Sequence, residues 1–356
     1  MPILCKVNRG DFIESMHVAF VVVVDSKGNI VYSNGDAHYL TCVRSALKPF
    51  QASASVKAGA TKKFDFSKDE LALMCASHNG EKIHVKTAMS ILNKIGYDMS
   101  YYECGSHSPY DKDSKKELLY NNEKPSPLHN NCSGKHAGML SLANYLKEDP
   151  KGYTNEDHPV QMKIMEQVKH FSELEEFPTS TDGCSAPVPF LPLYNIALMY
   201  QKLAGNGYDE LNILYDAIVS NPYHLAGKDR FDTDFITAMD GNAVTKIGGE
   251  GVRGLGIRAD NGEAYGMAIL EAQSHGLPVI ASDSGGVGDI VRDDSTGILT
   301  KIGDVSAFTS AIEKLMASSD TGARMSSNAL LTVKQEHSLE ATAIQLNKAL
   351  TDLING

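Results

Sequence analysis

An α/β protein in two parts is what this 356-residue sequence predicts. Over residues 1 to about 255, strand-like segments (HVAFVVVVD, GNIVYSNGD) alternate with helical stretches such as KPFQASASVKAGA, KDELALMCAS and EKIHVKTAMSILNKIG. That mixture predicts helices packed on a mixed, antiparallel sheet. From about Glu263 the pattern changes to EAYGMAILEAQSHG, LPVIASD, VGDIVRD, TGILT and DVSAFTSAIEKLMAS. This regular helix, strand, helix, strand, helix order is the rhythm of a parallel, Rossmann-like sheet. The composition, 42% hydrophobic and 22% charged, is globular and sufficient for a sizeable core.

The elements follow in order. The start, MPILCKVNRGDFIES, turns polar within ten residues, so no signal peptide is visible and a cytoplasmic location is expected. The run VAFVVVV at 18–24, bounded by His17 and Asp25, falls far short of the ~20 residues of a membrane helix and reads as a strand. Ser26 to Asn29 supply a hairpin signal after it. A helix begins near RSALKPFQA, and another ends at LALM, where CASHNGEKIH opens into a pocket. No repeat or low-complexity tract divides the chain, and the change of style places a boundary near Asn261-Gly262.

The formal net charge of −11 argues against a surface that neutralises nucleic-acid phosphates or anionic lipid, which demand clustered Lys and Arg. Small-molecule partners are expected instead. Cys5, Cys42, Cys75, Cys104, Cys132 and Cys184 are too sparse for a disulfide scaffold, and fit reduced thiols or metal thiolates.

Reactive side chains cluster in a few stretches. In RSALKPFQA, Ser45 and Lys48 stand three apart, so on a helix the amine lies within reach of the hydroxyl. A lysine deprotonated by burial can activate such a serine, although the same spacing occurs at ordinary solvated helix starts. CASHNGEKIH adds Ser77, His78, Glu81 and His84. Glu81 and His84 read as exposed helix-face residues, whereas His78 fits either a ligand-facing or a structural role. LHNNCSGKHAGM contributes Cys132, Lys135 and His136, TDGCSAPVPF contributes Asp182 and Cys184, and VTKIGGEGV puts Lys246 before a Gly-rich turn. Two cysteines so far apart read first as small buried thiols, because structural zinc shows its Cys and His ligands in close pairs.

Together RSALKP, ELALMCASHNGEKIH, CGSHSP, PSPLHNNCSGKHAGML, HPVQ, DGCSAPVPFLPL and TKIGGEGV resemble, in order, the signature blocks of the rhizobial-type L-asparaginase family, L-asparaginase II, over residues 5–262. The resemblance implies a serine β-lactamase/glutaminase-like fold, a mixed sheet with helices. It implies two Ser-Lys tandems, Ser45 with Lys48 and Ser77 with Lys246. It also implies one zinc ion held by Cys132, Lys135 and Cys184, and a substrate site lined by Arg44, His136 and Asp182. In the expected reaction a seryl oxygen attacks the side-chain amide carbon of L-asparagine, and water then releases aspartate. By analogy with Ser-x-x-Lys hydrolases Ser45 is favoured as the nucleophile. Arg44 and Asp182 have the charges to hold the α-carboxylate and α-ammonium. A homodimer is usual in the family.

After DNGEA the chain instead resembles the C-terminal part of retaining group 1 glycosyltransferases of the two-Rossmann-domain type. Glu263 and Glu271 reproduce an E-x7-E pattern, followed by SDSGG and TGILT. The acceptor domain and the segments preceding the first Glu in that family have no counterpart here. Nucleotide-sugar transfer and a catalytically dead hydrolase core are the alternative functions. The helix 263–274, with apolar Tyr265, Met267, Ala268, Ile269, Leu270 and Ala272, is expected to replace the hydrolase family's closing helix. The predicted domains are therefore 1–276, asparaginase-like, and 277–356, a partial Rossmann-like α/β appendage.

Overall fold

The computed structural model describes residues 3–258, 267–283, 286–301 and 304–338. Glu263, Tyr265 and the Ser284-Gly285 pair of SDSGG lie outside the described residues, as do the side chains of Cys5, Met267, Ala268 and Glu271. The chain forms two compact units, Met1–Ile257 and Arg258–Gly356.

The first unit opens with two hairpins, β1 (Ile3–Arg9) with β2 (Phe12–Ala19) and β3 (Val21–Val24) with β4 (Ile30–Asn34). The second hairpin closes where the turn signal lies, because the Asp25 carboxylate accepts the backbone N–H groups of Lys27 and Asn29. The short strand β5 (Leu40–Cys42) follows, and then a run of helices: α1 (Lys48–Ala58), α2 (Ala60–Lys63), α3 (Lys68–Met74), α4 (Lys82–Lys94), α5 (Lys112–Tyr120), α6 (Ser133–Leu146) and α7 (Pro159–Ser172). Strands β6 (Thr179–Thr181) and β7 (Pro187–Pro192) come next, followed by α8 (Leu193–Ala204), α9 (Asp209–Ser220), α10 (Pro222–Leu225) and α11 (Phe231–Ala238). The hairpin of β8 (Ala243–Ile247) and β9 (Arg253–Ile257) ends the unit.

The predicted α/β mixture is present, but its strands fall into small sets. Among the described residues of this unit the sheets are β1-β2, β3-β4, β5-β7-β6 and β8-β9, all antiparallel. Helices therefore make the centre. α1 is buried from Lys48 to Ser55 and α6 from Ser133 to Ala143, so each is enclosed on every side. α1 packs on α6, α7 and α9, and α6 also packs on α3 and α4.

Glycines permit the two closest approaches. A Cβ on Gly134 would lie 2.1 Å from Leu73 O, and one on Gly138 would meet Met74. Four residues apart on α6, they present one bare stripe to the end of α3. A Cβ on Gly254 would enter the Tyr200 ring, so β9 lies directly on α8.

The second unit contains α12 (Met267–Ser274), β10 (Val279–Ser282), α13 (Val287–Ile290), β11 (Gly297–Thr300), α14 (Val305–Ala317) and α15 (Ser319–Thr332). β10 and β11 pair in parallel, Val279 opposite Gly297, as the alternating pattern predicts. Helix α12 packs on α15 and β10, and the buried Gln273 amide donates to Thr296. The division at 257/258 thus assigns this helix to the second unit, whereas the sequence expectation assigns it to the first.

Candidate active site

The site starts at the end of β5. Val43 N–H donates to Pro189 O, after which Arg44 takes φ 51°, a left-handed backbone that is rare for a bulky side chain. The chain then makes a 3-10 turn, Arg44–Leu47, that runs into α1. Tyr200 OH donates to Ala46 O at 2.7 Å. Gly248, just past β8, packs so closely on the turn that a Cβ would stand 2.7 Å from Val43 O. Ser45 is therefore fixed by backbone on both flanks. It is partly accessible, and its hydroxyl makes no hydrogen bond among the described residues.

Among the described residues Lys48 makes no hydrogen bond to Ser45. The buried Lys48 amine donates to Ala76 O at 2.5 Å, Ser77 Oγ at 3.0 Å and Asn131 O at 3.3 Å. Two of its three partners are backbone carbonyls. From the opposite side Lys246, on β8, brings its amine to 2.8 Å from Ser77 Oγ and 2.9 Å from Ile247 O. Ser77 itself is held by its own N–H on Leu225 O. One buried hydroxyl thus stands between two lysine amines. Burial, with a smaller push from Lys48 and Arg230, brings the Lys246 pKa down to about 7 against the pull of Asp232, so a large fraction of this amine is neutral near neutrality.

The start of α6 supplies the sulfur-rich side. Asn130 Oδ1 accepts Cys132 N–H while its amide donates to Cys104 O, which sets the approach to the helix. Lys135 Nζ lies 2.9 Å from Cys184 Sγ. A hydrogen bond from Cys184 holds the Cys132 thiol well below its ordinary range although burial acts against it, and the same bond raises Cys184. Burial disfavours the Lys135 charge, but the two sulfurs more than offset it and raise the amine. His136 Nδ1 pairs with Tyr153 OH at 2.7 Å. Burial takes the ring's pKa down to about 4, against a hydrogen bond with Cys184 that favours its charge.

That donor set fits a zinc ion. Two sulfurs and an amine, those of Cys132, Cys184 and Lys135, come together next to His136, and zinc accepts sulfur and nitrogen donors in fours. Among the described residues no three His, Cys, Asp or Glu side chains form a metal cluster, so a site here would need Lys135 as its third donor.

The third side is the turn between β6 and β7. Asp182 N–H donates to Ala186 O and Ser185 N–H to Asp182 O, which presents Asp182 and Cys184 together. Because β5 and β6 flank β7, Arg44 and Asp182 meet at one end of the sheet, where Arg44 Nε donates to Asp182 Oδ1 at 3.0 Å. They line a cavity of about 320 Å³ with Cys42, Thr181, Gly183 and Phe190. The exposed Glu250 carboxylate lies 3.8 Å from Arg44.

Two histidines are structural. His78 Nδ1 accepts Gly80 N–H, so its Nε2 donates to Ser133 Oγ at 2.9 Å. The expectation that His84 is an exposed helix-face residue is overturned, because it is fully buried. Its ring turns back to cap α4, accepting Glu81 N–H and donating to Tyr223 O. Glu81, partly buried, bonds Tyr223 OH and Lys228 N–H rather than standing free. Sequence reasoning passed over Asp232, Tyr153 and Asn131. Asp232 lies in an ordinary acidic first turn of a helix, and Asn131 acts through its backbone carbonyl, which no side-chain pattern reports.

Comparison with known proteins gives two matches in tandem. A family model described as L-asparaginase II matches residues 5–271, and one described as glycosyl transferases group 1 matches residues 255–331. Curated relatives match through the C-terminal part. A D-inositol 3-phosphate glycosyltransferase of Gordonia bronchialis is 34% identical over 25% of this chain and 20% of its own. The lipopolysaccharide core biosynthesis glycosyltransferase LpsE of Rhizobium meliloti is 27% identical over 40% of this chain and 39% of its own. The chain spans well under half the length of these relatives. No helix among the described residues is long and apolar enough to cross a membrane.

Proposed function

The chain belongs to the L-asparaginase II family, and from that premise we propose that it hydrolyses the side-chain amide of L-asparagine to L-aspartate and ammonia. The observation that carries this reading is the convergence of Lys48 and Lys246 on the Ser77 hydroxyl. Arg44 takes the α-carboxylate and Asp182 the α-ammonium of a small amino acid, and His136 belongs to the same substrate site.

Ser45 is the attacking oxygen and Ser77 the relay. An attacking oxygen has to be reachable, and Ser45 is the more open of the two, whereas Ser77 is buried with both amines upon it. Ser45 adds to the amide carbon while its proton passes to Lys48. Ser77, accepting from one amine and donating to the other, carries a proton to the departing nitrogen, which leaves as ammonia. Water then attacks the seryl ester, and aspartate departs. Cys132, Lys135 and Cys184 would hold zinc, which when bound supplies a Lewis acid at the edge of the site.

Ammonia release from L-asparagine by the folded, zinc-supplemented protein tests the function. A signal no greater than that of a heat-killed control overturns it. Ser45→Ala and Lys48→Ala are each expected to cost ~10²–10⁴-fold in rate, and the double variant little more than either, since groups that act as a unit are non-additive. On an aspartyl ester whose leaving group needs no proton, Ser77→Ala is expected to retain turnover and Ser45→Ala to lose it. The reverse result exchanges the two serines.

The match to group 1 glycosyltransferases supports one alternative, binding of a nucleotide sugar by the second unit. Saturable binding of a nucleoside-diphosphate sugar, without ammonia release from asparagine, is the outcome that favours it.

A further inference from the structure

Beneath Lys246 lies a buried carboxylate that the mechanism above does not use. Asp232, in the first turn of α11, is 2% exposed. Its Oδ2 accepts Ile247 N–H at 3.1 Å and stands 3.8 Å from Lys246 Nζ, and its Oδ1 accepts from Arg253. Arg253 also donates to Thr245 Oγ1 at 2.9 Å and lies over the Phe231 ring at 4.3 Å. In the hairpin register Ile247 is opposite Arg253 and Lys246 opposite Gly254. The carboxylate therefore grips both strands around the residue that carries the amine.

We propose that Asp232 is a positioning residue that holds the Lys246 amine against Ser77 and acts as its buried counter-ion, with Arg253 setting how much of its negative charge the amine meets. The inference rests on the hydrolase reading. A helix-cap or purely structural role does not account for the arrangement, because a carboxylate needed only to tie the hairpin has its bonds satisfied by Ile247 N–H and Arg253. Beyond those bonds Oδ2 forms an ion pair at 3.8 Å with an amine that is itself bonded to the relay serine. Other groups around Lys246 are Arg230 beside α11, Lys48 of α1, Cys75 at the end of α3 and Cys132 at the start of α6. Behind Asp232 stand Arg253 of β9 and Tyr200 of α8. Asp232 is the one carboxylate among these groups.

The test is the pH profile of asparagine hydrolysis by full-length Asp232→Asn and Arg253→Gln, each with a thermal melt. Ser77 can accept the proton that Lys48 has received only while its other partner, the Lys246 amine, is neutral and takes the hydroxyl's own proton, so the rate rises with pH through the Lys246 titration. Removing the facing carboxylate is expected to move that acid limb to lower pH by about one unit or more. Removing the arginine that screens it is expected to move the limb to higher pH. Opposite shifts from two substitutions on one ion pair are not the signature of general loosening, which lowers rate without moving the limb. Limbs that coincide with the wild type in folded protein, or that move in the same direction, overturn the proposal. Where Asp232→Asn does not fold, Arg253→Gln, whose target is a partly exposed side chain, decides alone. Should the wild type release no ammonia, the function proposed above fails, and titration of the Lys246 ε-carbon by NMR, assigned with Lys246→Met, still reads the same two shifts.

Discussion

Cys132 and Cys184 lie 52 positions apart by number yet act as one sulfur pair, with Lys135 at 2.9 Å from the second. A pair of buried thiols needs no lysine. An ammonium between two sulfurs suits a site whose charge is completed by a cation, because a dication at bonding distance displaces the lysine proton and takes the amine as a ligand. Elemental analysis is expected to find about one zinc per chain, lost alike in Cys132→Ser and Cys184→Ser. Full occupancy in either variant would make these cysteines ordinary buried thiols. At this scale sequence blocks indicate which residues matter, but not which hydroxyl an amine touches. Lys48 is three residues from Ser45 and 29 from Ser77, yet Ser77 is the one it bonds.

At the scale of elements, small side chains govern how closely the scaffold closes on the site. Gly254 lies opposite Lys246 in the β8-β9 register and flat on the Tyr200 ring, while the hydroxyl of that same tyrosine holds Ala46 O beside Ser45. One aromatic ring thus supports the lysine hairpin and the serine turn together. Gly254→Ala forces a methyl into this ring and is expected to destabilise the protein by about 1–3 kcal/mol, as overpacking does, and to lower turnover in the fraction that remains folded. Gly183→Ala, where a Cβ meets nothing within 4 Å, is the control expected to leave the urea midpoint unchanged. The hairpin at Ser26–Asn29 and the parallel β10-β11 pair were legible because local signals specify them. The division of the strands into several small sheets was not, since pairing across long separations leaves no local trace.

For the whole molecule, the question is where the hydrolase part ends. Helix α12 packs on α15 and β10, and Leu255 and Ile257 of β9 are already 42% and 49% exposed in the full chain. A chain ending at Arg258 is expected to stay soluble and to release ammonia from asparagine as a chain ending at Gly276 does, with melting midpoints that agree. Aggregation of the shorter chain alone would restore α12 to the first unit, the arrangement its apolar composition first suggested.

The sequence by itself determined the class of structure, the family and the cast of reactive residues, because hydrophobic period, turn chemistry and ordered motif blocks are local quantities. Only the tertiary structure decided how that cast is wired. It sets Ser77 between Lys48 and Lys246, turns His84 inward as a helix cap, and brings Asp232 under a lysine from a different element. The reason is physical: a buried amine or carboxylate goes where desolvation is best offset by carbonyls and counter-charges, and those partners come from whichever elements the packing brings near, regardless of their distance along the chain.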